Sequence, residues 1–283
     1  MTLAVTGATG HLGGLVVEHL LRRGTPADQI VALVRRPDAA DGLAAKGVTV
    51  RVFDYNQPDE LPSALAGVDS LLLVSGNEFG KRAQQHQAVI DAAKTAGVGR
   101  LVYTSAPGAD TSINPVAPEH WATEQALAAS GLAHVILRNN WYHENYLADL
   151  GAAAQTGEIL TAAGQGRVAS AARTELAEAA AVVLAGSQVG QTLTLTGDVA
   201  WSFDELAADF ATALGRPVVA RHVSAAEKSD VLAAAGLDAG VIGFILGVDA
   251  AIAAGELAGV TGDLSALLGR PTSPILETLR AVG

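Results

Sequence analysis

The sequence contains no cysteine, and this absence excludes several kinds of chemistry. Thiol catalysis, thiolate metal sites and disulfide bonds are all impossible in a 283-residue chain without cysteine. The seven histidines show no HExxH-like or other recognisable metal-ligand spacing, so no metal site is expected. About half of the chain (49%) is apolar, which is enough for a substantial core without cross-links.

Positive charge is scarce as well. The chain has 18 Lys and Arg residues against 29 Asp and Glu, a formal net charge of −11. This balance argues against broad contact with nucleic acid. It leaves room for one local basic pocket that binds an anionic cofactor.

Long hydrophobic runs are also lacking. The most apolar stretch, residues 239–248, lies between Asp238 and Asp249 and is too short to span a bilayer. The amino terminus has the pattern of a first strand rather than of a targeting segment. We therefore expect a soluble, cytoplasmic protein without membrane insertion.

Short apolar runs alternate with segments of helical period over the first half of the chain. This pattern predicts an α/β fold, a doubly wound parallel sheet with helices on both faces, over residues 1–140. Near-continuous apolar runs indicate strands covered on both faces. The predicted strands are 3–6, 30–34, 48–53, 70–74, 100–104 and 133–137, and the later predicted helices are 83–96 and 119–129.

The regular alternation weakens after residue 140. One clear strand remains, from Thr192 to Thr196, and its return to the first domain stays open. Ser202 and Glu205 have the spacing of a capping box, which predicts a helix beginning there. Residues 141–283 are therefore expected to form a smaller, mostly helical lobe that covers the substrate.

The segment VTGATGHLGG follows the first predicted strand and opens a helix. A dinucleotide site needs small residues here, because the chain turns sharply, backbone approaches a pyrophosphate and the helix lies close to the strand. The helix amino terminus then offers unpaired N–H groups to the phosphates. An ordinary strand-to-helix turn is the alternative. The predicted cofactor contacts in this loop are Gly7, Thr9, Gly10, His11, Leu12 and Gly13.

The end of the second strand favours NADP(H) over NAD(H). Sites that prefer NAD place Asp or Glu there to bind the ribose 2′-hydroxyl. This chain has Arg35 and Arg36 instead, and no carboxylate before Asp38. A guanidinium suits a 2′-phosphate by charge and by its paired donors, so we assign Arg35 to it. Two solvated arginines on a loop are the alternative.

Further cofactor contacts are predicted at the ends of later strands. Asp54 follows the third strand and has two interpretations, a hydrogen bond to the adenine amine or a simple turn. Ser75 and Gly76 follow the fourth strand, where topology takes a loop across the nicotinamide ribose. A single dinucleotide loop accounts for one cofactor, so no flavin is expected.

Three segments resemble the NmrA-like atypical short-chain dehydrogenases: GATGHLG, DAAKTAGVGRLVYTSA and LRNNWYHENY. Within that family the chain is most similar to bacterial NADPH:quinone oxidoreductases, and next to triphenylmethane dye reductases. The resemblance implies a Rossmann fold and NADPH-dependent reduction of a quinone. It places Asn139, Asn140, Trp141 and Tyr142 beside the nicotinamide, and Trp141, Tyr142 and Asn145 near the acceptor, where the Asn145 amide meets a quinone carbonyl. A polar turn capping a buried helix, with the aromatics as packing residues, is the alternative.

The chain departs from typical short-chain dehydrogenases at their proton relay. Those enzymes carry Tyr-x-x-x-Lys after the fifth strand, where the tyrosine is the acid and the lysine lowers its pKa. Here Ser105 is present and is predicted to contact the cofactor, but the helix has His120 and Glu124 at the paired positions. A carboxylate raises the pKa of a neighbouring acid. His120 is a candidate proton donor at its usual pKa, or a surface histidine.

Hydride transfer to a quinone does not require this relay, because water can protonate the hydroquinone anion. An apolar cluster in the last third suits a flat, hydrophobic acceptor, with core packing as the alternative; its residues are Val241, Ile242, Phe244, Ile245 and Leu246. Competing functions are an NADP(H) sensor without turnover and a reductase of a triphenylmethane dye or a small enone. An oligomer is compatible with the sequence.

Overall fold

The computed structural model describes residues 1–281. Within this range the strands, numbered in chain order, are β1 Leu3–Thr6, β2 Ile30–Val34, β3 Thr49–Val52, β4 Ser70–Leu73, β5 Arg100–Ser105, β6 Ala133–Asn139, β7 Glu158–Thr161, β8 Arg167–Val168, β9 Gln191–Leu195, β10 Trp201–Ser202 and β11 Val219–His222.

The α-helices of the same range are α1 His11–Arg22, α2 Asp41–Ala44, α3 Leu61–Ala64, α4 Arg82–Ala96, α5 Ala117–Ser130, α6 Leu147–Thr156, α7 Arg173–Ala185, α8 Phe203–Leu214, α9 Ala225–Ala234, α10 Ala239–Ala253, α11 Asp263–Leu268 and α12 Ile275–Arg280. Short 3-10 helices lie at Ala27–Gln29, Pro37–Ala40, Pro58–Glu60 and His143–Tyr146.

One seven-stranded sheet organises the first part of the chain, with strand order β3-β2-β1-β4-β5-β6-β9. Each neighbouring pair from β3 to β6 is parallel. Leu3 of β1 is in register with Ile30 on one side and Ser70 on the other. The strand order therefore reverses between β1 and β4, where doubly wound sheets bind ligands at the carboxyl ends of their strands. This confirms the predicted Rossmann-type α/β fold.

The strands in the middle of the sheet are buried along their whole length. Every residue of β1, β2, β4 and β5 is buried, as expected for strands covered by helices on both faces. The edge strand β3 differs, because it has a neighbour on one side only, and its Val52 is exposed. Strand β9 lies beside β6, which answers the question that the sequence left open about the 192–196 segment.

The chain divides into two compact units. Unit 1 comprises Met1–Ala106, Pro118–Asn139 and Thr174–Leu193, and unit 2 comprises Pro107–Ala117, Asn140–Arg173 and the chain from Thr194 onward. A division that places everything after residue 140 in one lobe is therefore too simple. Helix α7 and most of β9 belong with the sheet, and the loop after β5 belongs with unit 2.

Each unit has its own apolar core. In unit 1, alternate residues of the strands meet helices on one face of the sheet; this core includes Leu33, Leu71, Leu73, Leu101, Tyr103, Leu61, Val89, Ile90 and Leu127. In unit 2, aromatic rings pack edge to face, with ring centroids 4.8 Å apart for Tyr146 and Trp201 and 5.9 Å apart for Trp201 and Phe203. Such close packing fixes the side chains that surround it.

The second half of the chain contains more strand than the sequence predicted. The predicted strand β9 joins the seven-stranded sheet, and unit 2 adds a parallel pair of β7 with β11 and an antiparallel pair of β8 with β10. These strands have two to four residues each, too few to show an alternating pattern. The predicted capping box is confirmed, since Ser202 and Glu205 exchange both of its hydrogen bonds at the start of α8.

The apolar stretch 239–248 lies within α10, which begins after Asp238. The Asp238 side chain accepts hydrogen bonds from the N–H groups of Gly240 and Val241 and so caps the helix. Over residues 1–281, no helix has both the length and the apolar character needed to cross a membrane.

Candidate cofactor site and acceptor residues

The glycine loop after β1 has the geometry of a phosphate-binding turn. Gly7 has φ +58°, and its carbonyl oxygen accepts a hydrogen bond from the N–H of Gly10 at 2.8 Å. A Cβ on Gly13 would lie 2.8 Å from the carbonyl carbon of Gly7 and 2.9 Å from the Thr6 oxygen. Only glycine at position 13 lets α1 approach the strand this closely.

The amino terminus of α1 is open to an anion. Gly10 is the N-cap residue, in an extended conformation, and no side chain caps the helix. Thr9, Gly10 and His11 are exposed, whereas Leu12 is buried in the core. The free N–H groups of the first turn and the helix dipole therefore face solvent at the switch point of the sheet.

Arg35 follows β2 at the same edge of the sheet, with about two-thirds of its side chain exposed (67%). Its Nη1 lies 3.7 Å from Oε1 of Glu78, and Oε2 of Glu78 lies 3.6 Å from Nζ of Lys81. Arg36 is exposed at the start of the next 3-10 helix. The sequence did not indicate Glu78, because it comes from the loop after β4, more than forty residues further along the chain.

Asp54 forms a local turn after β3. Its Oδ1 accepts hydrogen bonds from the backbone N–H and the side-chain Nδ2 of Asn56, at 3.0 and 3.3 Å. This is the turn interpretation, and a contact with adenine stays a prediction. The neighbouring Tyr55 was not singled out by sequence, but its hydroxyl donates to Thr6 Oγ1 at 2.6 Å and lies 3.1 Å from the Val74 oxygen. It thereby ties the ends of three strands together.

Ser75 and Gly76 are held in place by strand β5 and helix α4. The N–H of Ser75 donates to Thr104 Oγ1, and the N–H of Gly76 donates to Nε2 of His86 at 3.0 Å. The Gly76 carbonyl accepts from Nε of Arg82 at 2.6 Å. Both backbone groups of Gly76 are thus bound to α4, so the loop expected to cross the nicotinamide ribose has a fixed start.

The tautomer of His86 follows from its partners. The Thr123 hydroxyl donates to the Glu119 carbonyl, so it must accept from Nδ1–H of His86, which leaves Nε2 as the acceptor for Gly76. Burial, together with the smaller effect of the nearby Arg82 charge, lowers the pKa of His86 to about 3. The imidazole is therefore neutral and serves as a structural hydrogen-bond link.

His120 is buried, and the interpretation of it as a surface histidine is wrong. Its Nδ1 lies 2.8 Å from the hydroxyl of Tyr103, under the sheet. Burial lowers its pKa to about 3, with the charge of Arg82 acting in the same direction. Proton donation at the usual histidine pKa is therefore excluded for this ring.

Glu124 and Ser105 are bound to each other. The Ser105 hydroxyl donates to Oε1 of Glu124 at 2.6 Å. Arg138 of β6 donates two hydrogen bonds to the same carboxylate, from Nε to Oε1 at 3.0 Å and from Nη2 to Oε2 at 2.7 Å. The position that a relay lysine would take is thus half of a largely buried ion pair, and the cofactor contact of Ser105 stays a prediction.

Asn139, the last residue of β6, and Asn140, which follows it, differ in the hydrogen bonding of their side chains. In the described chain, neither Nδ2 nor Oδ1 of the buried Asn139 has a hydrogen-bond partner. Asn140 is fully engaged, since its Nδ2 donates to the Ala169 and Leu257 carbonyls and its Oδ1 accepts from the N–H of Trp141. The Asn140 side chain therefore holds the start of the LRNNWYHENY loop within unit 2.

The rest of this loop combines packing and exposed residues. Trp141 packs against the core of unit 2, and the guanidinium of Arg173 stacks 5.2 Å from the ring centroid of Tyr142. The Glu144 carboxylate accepts from the N–H of Arg173, the first residue of α7. This part matches the alternative of a polar turn that caps a helix. Asn145 is exposed.

Helix α10 divides the predicted apolar cluster. Ile242 is buried, Phe244 packs partly against the core of unit 2, and Val241 is exposed. Ile245 and Leu246 are half-buried. The cluster is thus core on one side and offers apolar surface on the other. Residues 1–281 contain no group of three or more histidine and acidic side chains arranged to hold a metal.

The residues present fit a dinucleotide. Three features lie at one edge of one sheet: the close approach of α1 to the glycine loop at Gly13, the uncapped amino terminus of α1 and the exposed guanidinium of Arg35. Asn139, at the carboxyl end of β6, has a buried donor and a buried acceptor to satisfy. No acidic residue occupies the end of β2, where a ribose 2′-hydroxyl would need one.

Comparison with known proteins agrees with this geometry. A family model described as NAD(P)H-binding matches residues 7–187. Quinone oxidoreductase 2 of Escherichia coli (strain K12) is 44% identical over 278 residues, covering 98% of this chain and 97% of that protein. An NmrA-like family domain-containing oxidoreductase of Aspergillus flavus is 30% identical over 291 residues, covering 99% of this chain and 94% of that protein.

Two solved structures extend the likeness to the whole fold. The crystal structure of an NADPH-dependent quinone oxidoreductase from Escherichia coli, complexed with NADPH, superimposes with a TM-score of 0.96 at 44% identity and covers 99% of each chain. The triphenylmethane reductase of Citrobacter sp., complexed with NADP(H), gives a TM-score of 0.94 at 40% identity and covers 100% of both chains.

Proposed function

This chain belongs to the NAD(P)H-binding family, and from that premise we propose that it is an NADPH-dependent oxidoreductase acting on a quinone or a similar conjugated acceptor. The observation that carries the proposal is the pairing of an intact phosphate loop with relay positions that are occupied by other interactions. Such a site binds the reductant but lacks the acid that a simple ketone needs.

The glycine loop and the first turn of α1 would hold the pyrophosphate through backbone N–H groups. Arg35 would pair with the 2′-phosphate and so favour NADPH over NADH. Asn139 would satisfy its amide against the nicotinamide end, and Ser75 and Gly76 would border the ribose. When bound, the reduced nicotinamide supplies a hydride.

The protein residues at the relay positions do not move a proton. The Ser105 hydroxyl donates its hydrogen bond to Glu124, and the Glu124 carboxylate forms an ion pair with Arg138. His120 is a buried, neutral ring. The acceptor must therefore take hydride without an acid at its oxygen. A quinone does so, because the product is an aromatic hydroquinone anion that solvent protonates.

The proposed acceptor contacts lie after β6 and in α10. Trp141, Tyr142, Asn145 and Phe244 combine aromatic surface with one exposed amide, which suits a flat molecule bearing carbonyl groups. The likeness to triphenylmethane reductase favours a cationic dye as a second acceptor, since it too accepts hydride readily.

The decisive assay follows NADPH oxidation with and without 1,4-benzoquinone. We expect a saturable rate that depends on the enzyme and is lower with NADH. A small ketone without conjugation should give no rate above background. Bound NADPH without turnover on the quinone or on a triphenylmethane dye would instead support a redox sensor; in that case NADPH and NADP⁺ should bind with different affinities.

Arg35→Asp tests the cofactor assignment, with Arg36→Asp as the matched control. We expect Arg35→Asp to weaken NADPH binding by about 2 kcal/mol, the scale of a charge-assisted hydrogen bond, and NADH binding far less. Arg36→Asp makes the same change of charge on the same loop, at the neighbouring position. Equal losses for both cofactors in Arg35→Asp would show that the 2′-phosphate lies elsewhere.

A further inference from the structure

A carboxylate stands beside the arginine that is proposed to bind the 2′-phosphate. Oε1 of Glu78 lies 3.7 Å from Arg35 Nη1, and Oε2 of Glu78 lies 3.6 Å from Lys81 Nζ. One negative charge is therefore shared between two cations. A second anion that approaches Arg35 meets this carboxylate at the same place.

Glu78 is kept near Arg35 by the segment that carries it. Residues 76–80 are anchored at both ends, at Gly76 by His86 and Arg82, and at Gly80, whose N–H donates to Oε1 of Glu119 at 2.9 Å. Between the anchors, the Glu78 carbonyl accepts hydrogen bonds from the N–H groups of Lys81 and Arg82 at 3.1 and 3.0 Å. The backbone of Glu78 is therefore held in place, and its carboxylate stays within reach of Arg35.

We propose that Glu78 is a specificity-determining residue that reduces the preference for NADPH over NADH, an inference that rests on the proposed role of Arg35. A 2′-phosphate carries more than one negative charge at neutral pH and must share Arg35 with Glu78. NADH has no such group, so Glu78 leaves its binding nearly unchanged. Lys81 moderates the effect, because it takes part of the Glu78 charge.

Replacing the carboxylate by its neutral isostere isolates the charge. Dissociation constants for NADPH and NADH would be measured by cofactor fluorescence with wild type and Glu78→Gln. Because all three charged side chains are partly exposed, we expect a modest gain, about threefold tighter NADPH binding, with NADH binding unchanged. Raising the salt concentration should shrink that gain.

Glu18→Gln is the matched control, because Glu18 is also an exposed carboxylate of unit 1, paired with Arg22 at 3.0 Å. It changes the net charge equally and should leave the ratio of the two affinities as it is. Thermal melting of each variant confirms that the fold is retained.

Arg35→Ala distinguishes a failure of the role proposed for Glu78 from a failure of the 2′-phosphate assignment of Arg35. If it abolishes the preference for NADPH while Glu78→Gln leaves the affinity ratio unchanged, the role of Glu78 is overturned and the proposed function stands. If Arg35→Ala leaves the ratio unchanged, the 2′-phosphate assignment fails and the inference falls with it. A gain in Glu78→Gln that salt does not reduce would also count against a charge effect.

Discussion

The contact between the glycine loop and α1 makes a sharp prediction for Gly13→Ala. The new Cβ would lie 2.8 Å from the Gly7 carbonyl carbon and closer still to the Gly7 oxygen, whereas carbon atoms ordinarily approach to about 3.5–4.0 Å. The start of α1 must therefore move away from the strand by roughly 1 Å. Overpacking of this kind costs about 1–3 kcal/mol.

Two effects of this change can be separated. The gain of alanine over glycine inside a helix, up to about 1 kcal/mol, offsets part of the strain, so the melting temperature should fall by only a few degrees. Cofactor binding should suffer more, because the N–H groups of the first turn lose their alignment with the phosphates. Losing one or two charge-assisted hydrogen bonds, at about 1.5–3 kcal/mol each, weakens NADPH binding by roughly a hundredfold.

Gly14→Ala is the matched control for this prediction. Its Cβ would lie 3.3 Å from the Ala8 oxygen, a tight contact that a shift of a few tenths of an ångström relieves, whereas the Cβ at position 13 meets backbone atoms at 2.8 and 2.9 Å. It gains the same helix propensity one residue later and should bind NADPH as the wild type does. Fluorescence titration with NADPH and thermal melting measure both effects. Wild-type affinity in Gly13→Ala, with an unchanged melting temperature, would refute the close-packing argument.

Two further predictions concern the buried polar groups of unit 1. The folded state disfavours protonation of His120, so the unfolded chain binds more protons between about pH 6.5 and 3. As the pH is lowered through that window, the free energy of unfolding should therefore fall, by at most about 1.4 kcal/mol per pH unit for this ring. Urea unfolding at pH 7 and pH 5 should show a smaller loss of stability for His120→Gln than for the wild type. Glu124→Lys places a second cation at a buried position beside the half-buried Arg138 and should cost about 3–5 kcal/mol, whereas Glu18→Lys, beside the exposed Arg22, should cost no more than about 1 kcal/mol. Similar urea midpoints for the two lysine variants would contradict that account.

The parts of the fold that depend on local chemistry could be predicted from the sequence. The strands from β1 to β6 were found within one or two residues, because covered strands are apolar along their length. The glycine loop was recognised because its positive φ at Gly7 and its close contact at Gly13 leave few other residue types possible. Structural requirements that involve residues near one another in the chain can therefore be recognised in the sequence.

The partners of the site residues could not be predicted in the same way. Glu78 reaches Arg35 from a distant loop, and His86 and Arg82 hold Gly76 from a helix face that also carries core residues. Their positions in the sequence resemble ordinary polar positions on a helix or a loop. Tertiary packing alone decides which groups these side chains meet and that His86 and Arg82 are buried.

At the two relay positions, His120 and Glu124 do not simply stand in for the missing tyrosine and lysine, because both make other interactions. Glu124 is satisfied by two donors from Arg138 and by the Ser105 hydroxyl, so that hydroxyl cannot offer its hydrogen to an acceptor at the same time. His120 lies against the phenol of Tyr103 under the sheet. Replacing His120 by tyrosine and Glu124 by lysine would thus remove the carboxylate that Arg138 and Ser105 bind and the ring nitrogen that Tyr103 contacts, rather than rebuild an acid. These positions therefore favour an acceptor that takes hydride without a protein acid at its oxygen.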